Sequence, residues 1–502
     1  MLKTIYRASI VPALLLLALS ANLFPQETVE PPRAMHTISS HQIMAWVEAL
    51  CGEEFTGRLG GTKGYDLSAQ WVARHLKEWN VQPAGDDNTY FQTFANPYTD
   101  VLPGSEAILH IPVKKGQVIH KHYRYQTDYF PGATSASGSI TAEVVYVGYG
   151  ITAPELGFDE YKGLNVKGKI VMVEREVPVS PNKDAGVFPK WRPYSFHQYK
   201  VKNAKKHGAA GMVYNYHIAN PNCAYLENFQ LTYVGKSVIT DMFSGTGRSH
   251  AGTIKRIKKT LRPRSFKTGK QMTITNKTRH HADGKTSNVM GFIKGSDPKL
   301  GHETIILGAH LDHMGTSYEL MPGANDNASG VAVIMAVAKA IHDSGLKPER
   351  GILFIMFGAE EQGVVGSKHY LEHPFIPHDN VKVFLNLDGV GRGDTLHALA
   401  AKNHPELWKT IEKVNDNYIH RPIKPHEFHN RARPRLDAAR FLRAGIPSIS
   451  FSASGAPRLP FSTYHTTHDT PEILTPEIME DLAQLLFIST MELAGYEKGE
   501  QQ

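Results

Sequence analysis

An alternation beginning near residue 285 constrains the fold more than any other feature of the chain. Near-continuously apolar segments take turns with helical ones: "ETIILGAHLDHMG" from 303, "SGVAVIMAVAKAIHDSG" from 329, "RGILFIMFGAEE" from 350, "VKVFLNLDGVG" from 381, "AGIPSISFSASG" from 444 and "EIMEDLAQLLFISTMELAGY" from 477. Strands without a polar face, alternating with helices, predict an α/β fold: a mainly parallel mixed sheet covered by helices on both faces. In such sheets ligands bind beyond the carboxyl ends of the strands.

Three of these strands end in cation-binding groups. His310 and Asp312 follow "TIILGA", Glu360 and Glu361 follow "ILFIMFGA", and Asp388 follows "VFLNL". Asp326 stands in "PGANDNASG" ahead of a helix, and His465 in "YHTTHDT" ahead of the last one. The adjacent glutamates are the sharpest constraint. Two neighbouring carboxylates repel and neither is cheap to bury, so they either face water or meet positive charge. Taken singly, each piece has a bland reading: a surface acid pair, or an aspartate capping a helix. Taken together, imidazole and carboxylate without thiolate suit Zn2+ in a hydrolytic site, with Mn2+ or Co2+ as substitutes. The carboxylates outnumber what one tetrahedral Zn2+ uses. Two cations about 3.5–4 Å apart, sharing a bridging carboxylate, would use them. One glutamate could then bind metal while the other takes a proton from the attacking water.

The chain's 502 residues predict two or three domains. Residues 40–80 read as two helices, capped at Ser39 or Ser40, around a Gly-rich loop whose Glu53 and Glu54 belong to a helix end in water. From about 100 to 275 the texture becomes short strands and turns, with one helical patch, "KVKNAKKHGAAGMVYNY". The basic run at 255–270 holds no aromatic residue but Phe266, so it reads as a solvated loop and not a nucleic-acid surface. Residues 1–21 follow signal-peptide order: Lys3 and Arg7, an apolar middle, then small residues. No later segment is long and apolar enough to span a membrane. Asn327-Ala328-Ser329 is a glycosylation sequon inside the metal motif, which fits a bacterial periplasmic or secreted protein. Cys51 and Cys223 could pair or stay free.

"GAHLDHMG", "GANDNASG", "GAEEQGVVGS", "LNLDG" and "YHTTHDTPE", in this order, resemble the signature of the co-catalytic di-zinc aminopeptidases, which include bacterial leucyl aminopeptidases and are related to glutamate carboxypeptidase and transferrin receptor. "VVYVGYGI", "GLNVKGKIVMV" and "KKHGAAGMVYN" resemble the protease-associated domain that many members carry as an insertion. The resemblance implies a zinc-exopeptidase fold with its catalytic domain in two parts, 35–100 and 276–497, around a β-rich insertion at 101–275. It implies two Zn2+ per chain and peptide substrates. His310 and Asp388 would hold one zinc, Glu361 and His465 the other, and Asp326 both. Asp312 would hydrogen-bond His310 to fix its tautomer, and Glu360 would be the general base. His313 and His468 would not be ligands. Gly389-Val390 and Ala438 depart from common family residues, which bears on side-chain preference. The insertion holds no implied ligand and should be separable from the metal site. Aminopeptidase action is the first reading. Carboxypeptidase, dipeptidase or glutaminyl cyclase would keep the fold, and a receptor-like binding protein would have lost ligands, which this chain has not.

Overall fold

The computed structural model describes residues 30–113, 116–429, 436–460 and 462–496. The signal-like stretch and the start of "RPRLDAARF" lie outside these residues. A nine-stranded mixed sheet organises the larger domain. Its centre is parallel: Thr304–His310 lies between Gly351–Phe357 and Val381–Leu387, and the latter pairs with Ser448–Ser454. Antiparallel strands flank the centre, Lys285–Ile293 on one side and Thr395–Leu399 on the other. The central strands lack a polar face because both of their faces are covered. Ile305, Leu307, Ile352, Phe354, Val383 and Leu385 pack in one core with the helices Ser40–Leu50, Ser329–Ser344 and Pro476–Ala494. Ile306, Leu353, Ile355 and Phe384 pack in another with Phe441 of the helix Asp437–Arg443. Each such buried side chain contributes about 1.5–3 kcal/mol.

Residues 106–276 build a second sheet of eight strands, joined to the first domain by an antiparallel ribbon in which Tyr98–Val101 pairs with Thr278–His281. Two readings of this region need correction. The patch "KVKNAKKHGAAGMVYNY" is helical only within His197–Lys206; Gly208, at φ +83°, ends the helix, and Gly211–Asn215 is a buried strand. The basic run at 255–270 is only in part a loop, at 261–265. Before it comes the end of the helix His250–Thr260, anchored by buried Ile257, and after it the start of the strand Phe266–Asn276, whose burial alternates along its length. Lys255, Arg256, Lys258, Lys259 and Lys267 occupy the wet face of regular structure, which charge counting cannot distinguish from a loop, while Lys270 is buried. Neither cysteine forms a disulfide; Cys51 is buried and Cys223 half-buried. No described helix is long and apolar enough to cross a membrane.

The insertion is also less separable than its sequence suggests. Met314 and Met321, in the loop between His313 and Asp326, are buried in the inserted domain's own core beside Phe130, Tyr214 and Tyr233. Removing that core would expose two large apolar side chains next to the site motifs. Replacing 101–275 by a short linker should therefore lower the thermal midpoint and strip metal from the remaining domain. Thermal unfolding with metal analysis checks this, and a linker variant that keeps both would contradict it.

Candidate metal centre

Strand register delivers the site. His310 pairs with Phe357 and Ala309 with Leu387, so His310, the Glu360–Glu361 turn and Asp388 emerge at one sheet edge. The Asp312 carboxylate accepts the amides of Glu360 and Glu361, at 2.9 and 3.1 Å, and so fixes the turn carrying both glutamates. Asp326 lies in an irregular turn before the helix Ser329–Ser344, where the buried Asp469 carboxylate accepts the amides of Asn325 and Asp326 at 2.9 and 3.0 Å. Asn327 is buried, donating to the Leu387 carbonyl and accepting from Gly330, so its amide is not open to glycosylation.

His310, Asp312, Asp326, Glu360, Glu361, Asp388 and His465 stand together in one cluster, buried except for partly exposed Asp388. His310 Nε2 lies 3.2 Å from Asp326 Oδ1 and 3.6 Å from Asp388 Oδ1. His465 Nε2 lies 3.2 Å from Asp326 Oδ2 and 3.1 Å from Glu361 Oε2. Asp326 thus offers one oxygen to each imidazole. Donor atoms of His310, Asp326 and Asp388 fall within 4.8 Å of one another, as do those of His313, Asp326 and Glu361. His465 Nε2 is buried yet makes no hydrogen bond, with two carboxylate oxygens within 3.2 Å. Converging nitrogen and oxygen donors without an aligned proton fit a cation better than they fit each other.

Electrostatics point the same way. Burial alone would raise Asp326, but the adjacent His310 and His465 imidazoles hold it well below the usual carboxylate range. Burial would lower His465, but the charges of Glu361 and Asp326 carry it well above its ordinary value. Glu360 is pushed well above the carboxylate range, mainly by burial.

Two details differ from the sequence reading. His310 Nδ1 bonds the main-chain carbonyl of Asp312, at 3.0 Å, while the Asp312 carboxylate lies 3.9 Å away and is engaged by the glutamate amides. The backbone therefore sets the His310 tautomer. Val390 and Ala438 are buried in the two cores, and neither lines the cavity beside the clustered donors.

Sequence reasoning missed several groups that build the site. Arg58 is fully buried, and its guanidinium donates to the carbonyls of Leu50, Leu311, Pro322 and Gly323, clamping together the two loops that carry His310 and Asp326. Leaving such acceptors unpaired costs about 1–3 kcal/mol each. In sequence Arg58 is one basic residue in a Gly-rich loop. Asp469 sits in a quoted motif but gives no sign of capping the Asp326 turn. His313 Nδ1 lies 3.1 Å from Glu361 Oε1, so this histidine touches the cluster, whereas His468 is exposed.

Residues 288–488 match the sequence profile of Peptidase family M28, and residues 140–236 that of the PA domain. Residues 288–488 thus match peptidase family M28, with a PA domain ahead of them. Leupeptin-inactivating enzyme 1 of Streptomyces exfoliatus is 31% identical over 161 residues, 32% of this chain and 34% of that protein. The first two curated relatives are each matched over about a third of their length. Aminopeptidase YwaD of Bacillus subtilis is 26% identical over 389 residues, covering 72% of this chain and 71% of its own. Among solved structures, an aminopeptidase from Aneurinibacillus sp. strain AM-1 superposes with a TM-score of 0.63 at 21% identity, over 94% of this chain and 97% of that one. BSAP, a zinc aminopeptidase from Bacillus subtilis, superposes at 0.58 and 19% identity, over 93% and 97%. These likenesses establish a shared fold.

The PA-containing insertion forms one wall of the site. His197, Tyr216, Ile218, Asn220 and Asn222 face Glu360, Glu361, Val364, Tyr464 and His465 across a small cavity. The Ala219 carbonyl meets His465 Nδ1 at 3.2 Å, and Gln126 Oε1 accepts from the Thr467 amide and hydroxyl at 3.3 and 3.0 Å. The loop carrying His465 is thus held from the inserted side. The Tyr464 ring stacks on His465 at 3.7 Å with much of its surface open.

Proposed function

We propose that this protein is an exported, zinc-dependent aminopeptidase that removes residues from the N-termini of peptides. The cavity wall carries this reading. Among the described residues that line it are two carboxylates, Glu360 and Glu361, and no lysine or arginine. Such a wall attracts the ammonium of a peptide N-terminus and offers no lysine or arginine to pair with a C-terminal carboxylate. That favours aminopeptidase over carboxypeptidase action, and the aminopeptidases among the relatives and fold neighbours agree.

In this reading His310 and Asp388 would hold one zinc, Glu361 and His465 the other, and Asp326 both. Two zinc ions there would supply Lewis acidity, making water acidic near neutrality and drawing electron density from a carbonyl. The remaining work falls to side chains. Glu360, beside the ligands on the cavity wall, accepts the proton of the attacking water and returns it to the leaving amine. Its burial keeps it a stronger base than a solvated glutamate. Asp312 keeps the Glu360 main chain in place, and Tyr464 closes the cavity over His465. The signal-like order of residues 1–21 supports export; N-terminal sequencing of the mature chain should begin near residue 21 or 22, and retention of Lys3 would refute export with cleavage.

The adjacent glutamates should be chemically unequal. Glu360→Gln keeps its shape, so zinc content should stay near that of the wild type while turnover of aminoacyl-nitroanilides falls by about two to four orders of magnitude. Glu361→Gln should lose zinc, with partial rescue by excess metal. Metal analysis beside peptide hydrolysis separates them. Zinc loss confined to Glu360→Gln would exchange the roles, and unchanged activity in both would remove the hydrolase reading.

A further inference from the structure

A second group of imidazoles lies on the outer face of the inserted sheet. The exposed edge strand Val118–His122 pairs antiparallel with Glu106–Pro112, placing His110 opposite His120 and Ile108 opposite His122. Main-chain bonds Tyr123 N to Ala107 O and Val113 N to Gln117 O, at 3.0 and 2.9 Å, mark the hydrogen-bonded positions of this ladder. By alternation His110 and His120 form a non-hydrogen-bonded pair, where facing side chains approach most closely. Ala107 and Leu109 turn into the core, so His110, His120 and His122 share the opposite, wetter face. His122 is the diagonal neighbour of His110, within reach of a long side chain.

The rings meet nitrogen to nitrogen. His110 Nδ1 lies 2.6 Å from His120 Nδ1, with the rings 4.8 Å apart at 77°. Two ring nitrogens so close share a proton, and a cation that displaced it would part the rings until each nitrogen stood about 2.0–2.1 Å from it. The other nitrogen of His110, Nε2, is anchored 2.7 Å from Thr273 Oγ1, which lies 2.6 Å from Thr141 Oγ1. An outer anchor of this kind is what orients a histidine toward a metal. The pair His397–His426 is as close, 2.8 Å between nitrogens, but its rings stack at 17° beside Lys424, so their lone pairs do not converge.

We propose that His110 and His120 bind one divalent transition ion of the class that prefers imidazole, Zn2+, Cu2+ or Ni2+, apart from the metal centre. The site stands on the inserted domain alone and does not depend on the peptidase reading.

Equilibrium dialysis of the full chain against Zn2+, with metal counted by mass spectrometry, tests it. The wild type should hold one more Zn2+ per chain than His120→Ala at the same free zinc, with the metal centre equally filled in both. Thr273→Val should keep the extra ion but weaken it by about 10–100-fold. Circular dichroism confirms that these surface variants are folded. Equal zinc content in wild type and His120→Ala across the titration would overturn the proposal.

Discussion

One carboxylate, Asp326, standing between two imidazoles is the interaction on which the rest of the structure depends. Its oxygens lie 3.2 Å from His310 and 3.2 Å from His465, with Asp388 and Glu361 approaching the same ring nitrogens. Two unit charges 4 Å apart repel by about 4 kcal/mol at an effective dielectric near 20. Several buried carboxylates so close would force the loops apart unless positive charge joined them. The fold resists that separation with main-chain bonds: Asp469 holds the Asp326 turn, Asp312 the glutamate turn, and Arg58 the loops between them. The scaffold thus holds these donors together, as the proposed zinc site requires.

The inserted domain belongs to this arrangement. It buries Met314 and Met321, meets His465 through the Ala219 carbonyl and grips Thr467 through Gln126. A wall that only gated entry would need none of these contacts. Movement of the insertion would change the orientation of a ligand as well as the size of the cavity, coupling substrate entry to the geometry of the cluster.

Much of this could be read from the chain because the parallel sheet writes itself plainly. Strands buried on both faces must be apolar throughout, as "ILFIMF" and "VFLNL" are, and residues just past their ends must lie at one edge. Glu360, Glu361, Asp388 and His310 were legible for that reason. Arg58, Asp469 and His313 were not, because a clamp, a cap and an imidazole against Glu361 are defined by what they touch across the fold, and no local pattern announces a contact spanning hundreds of residues. Strand and helix in the basic run at 255–270 were hidden by charge on the exposed face, and only the burial of Ile257 and the alternation after Phe266 disclose them.

The central claim is that Asp326 serves two cations at once. Stepwise zinc titration of the metal-stripped Asp326→Ala variant, followed by mass spectrometry and compared with a His465→Ala variant, tests it most directly. Loss of both high-affinity ions in Asp326→Ala, with at least one retained in His465→Ala, is the predicted result. An Asp326→Ala protein that remains folded and binds either ion as tightly as the wild type would contradict the account.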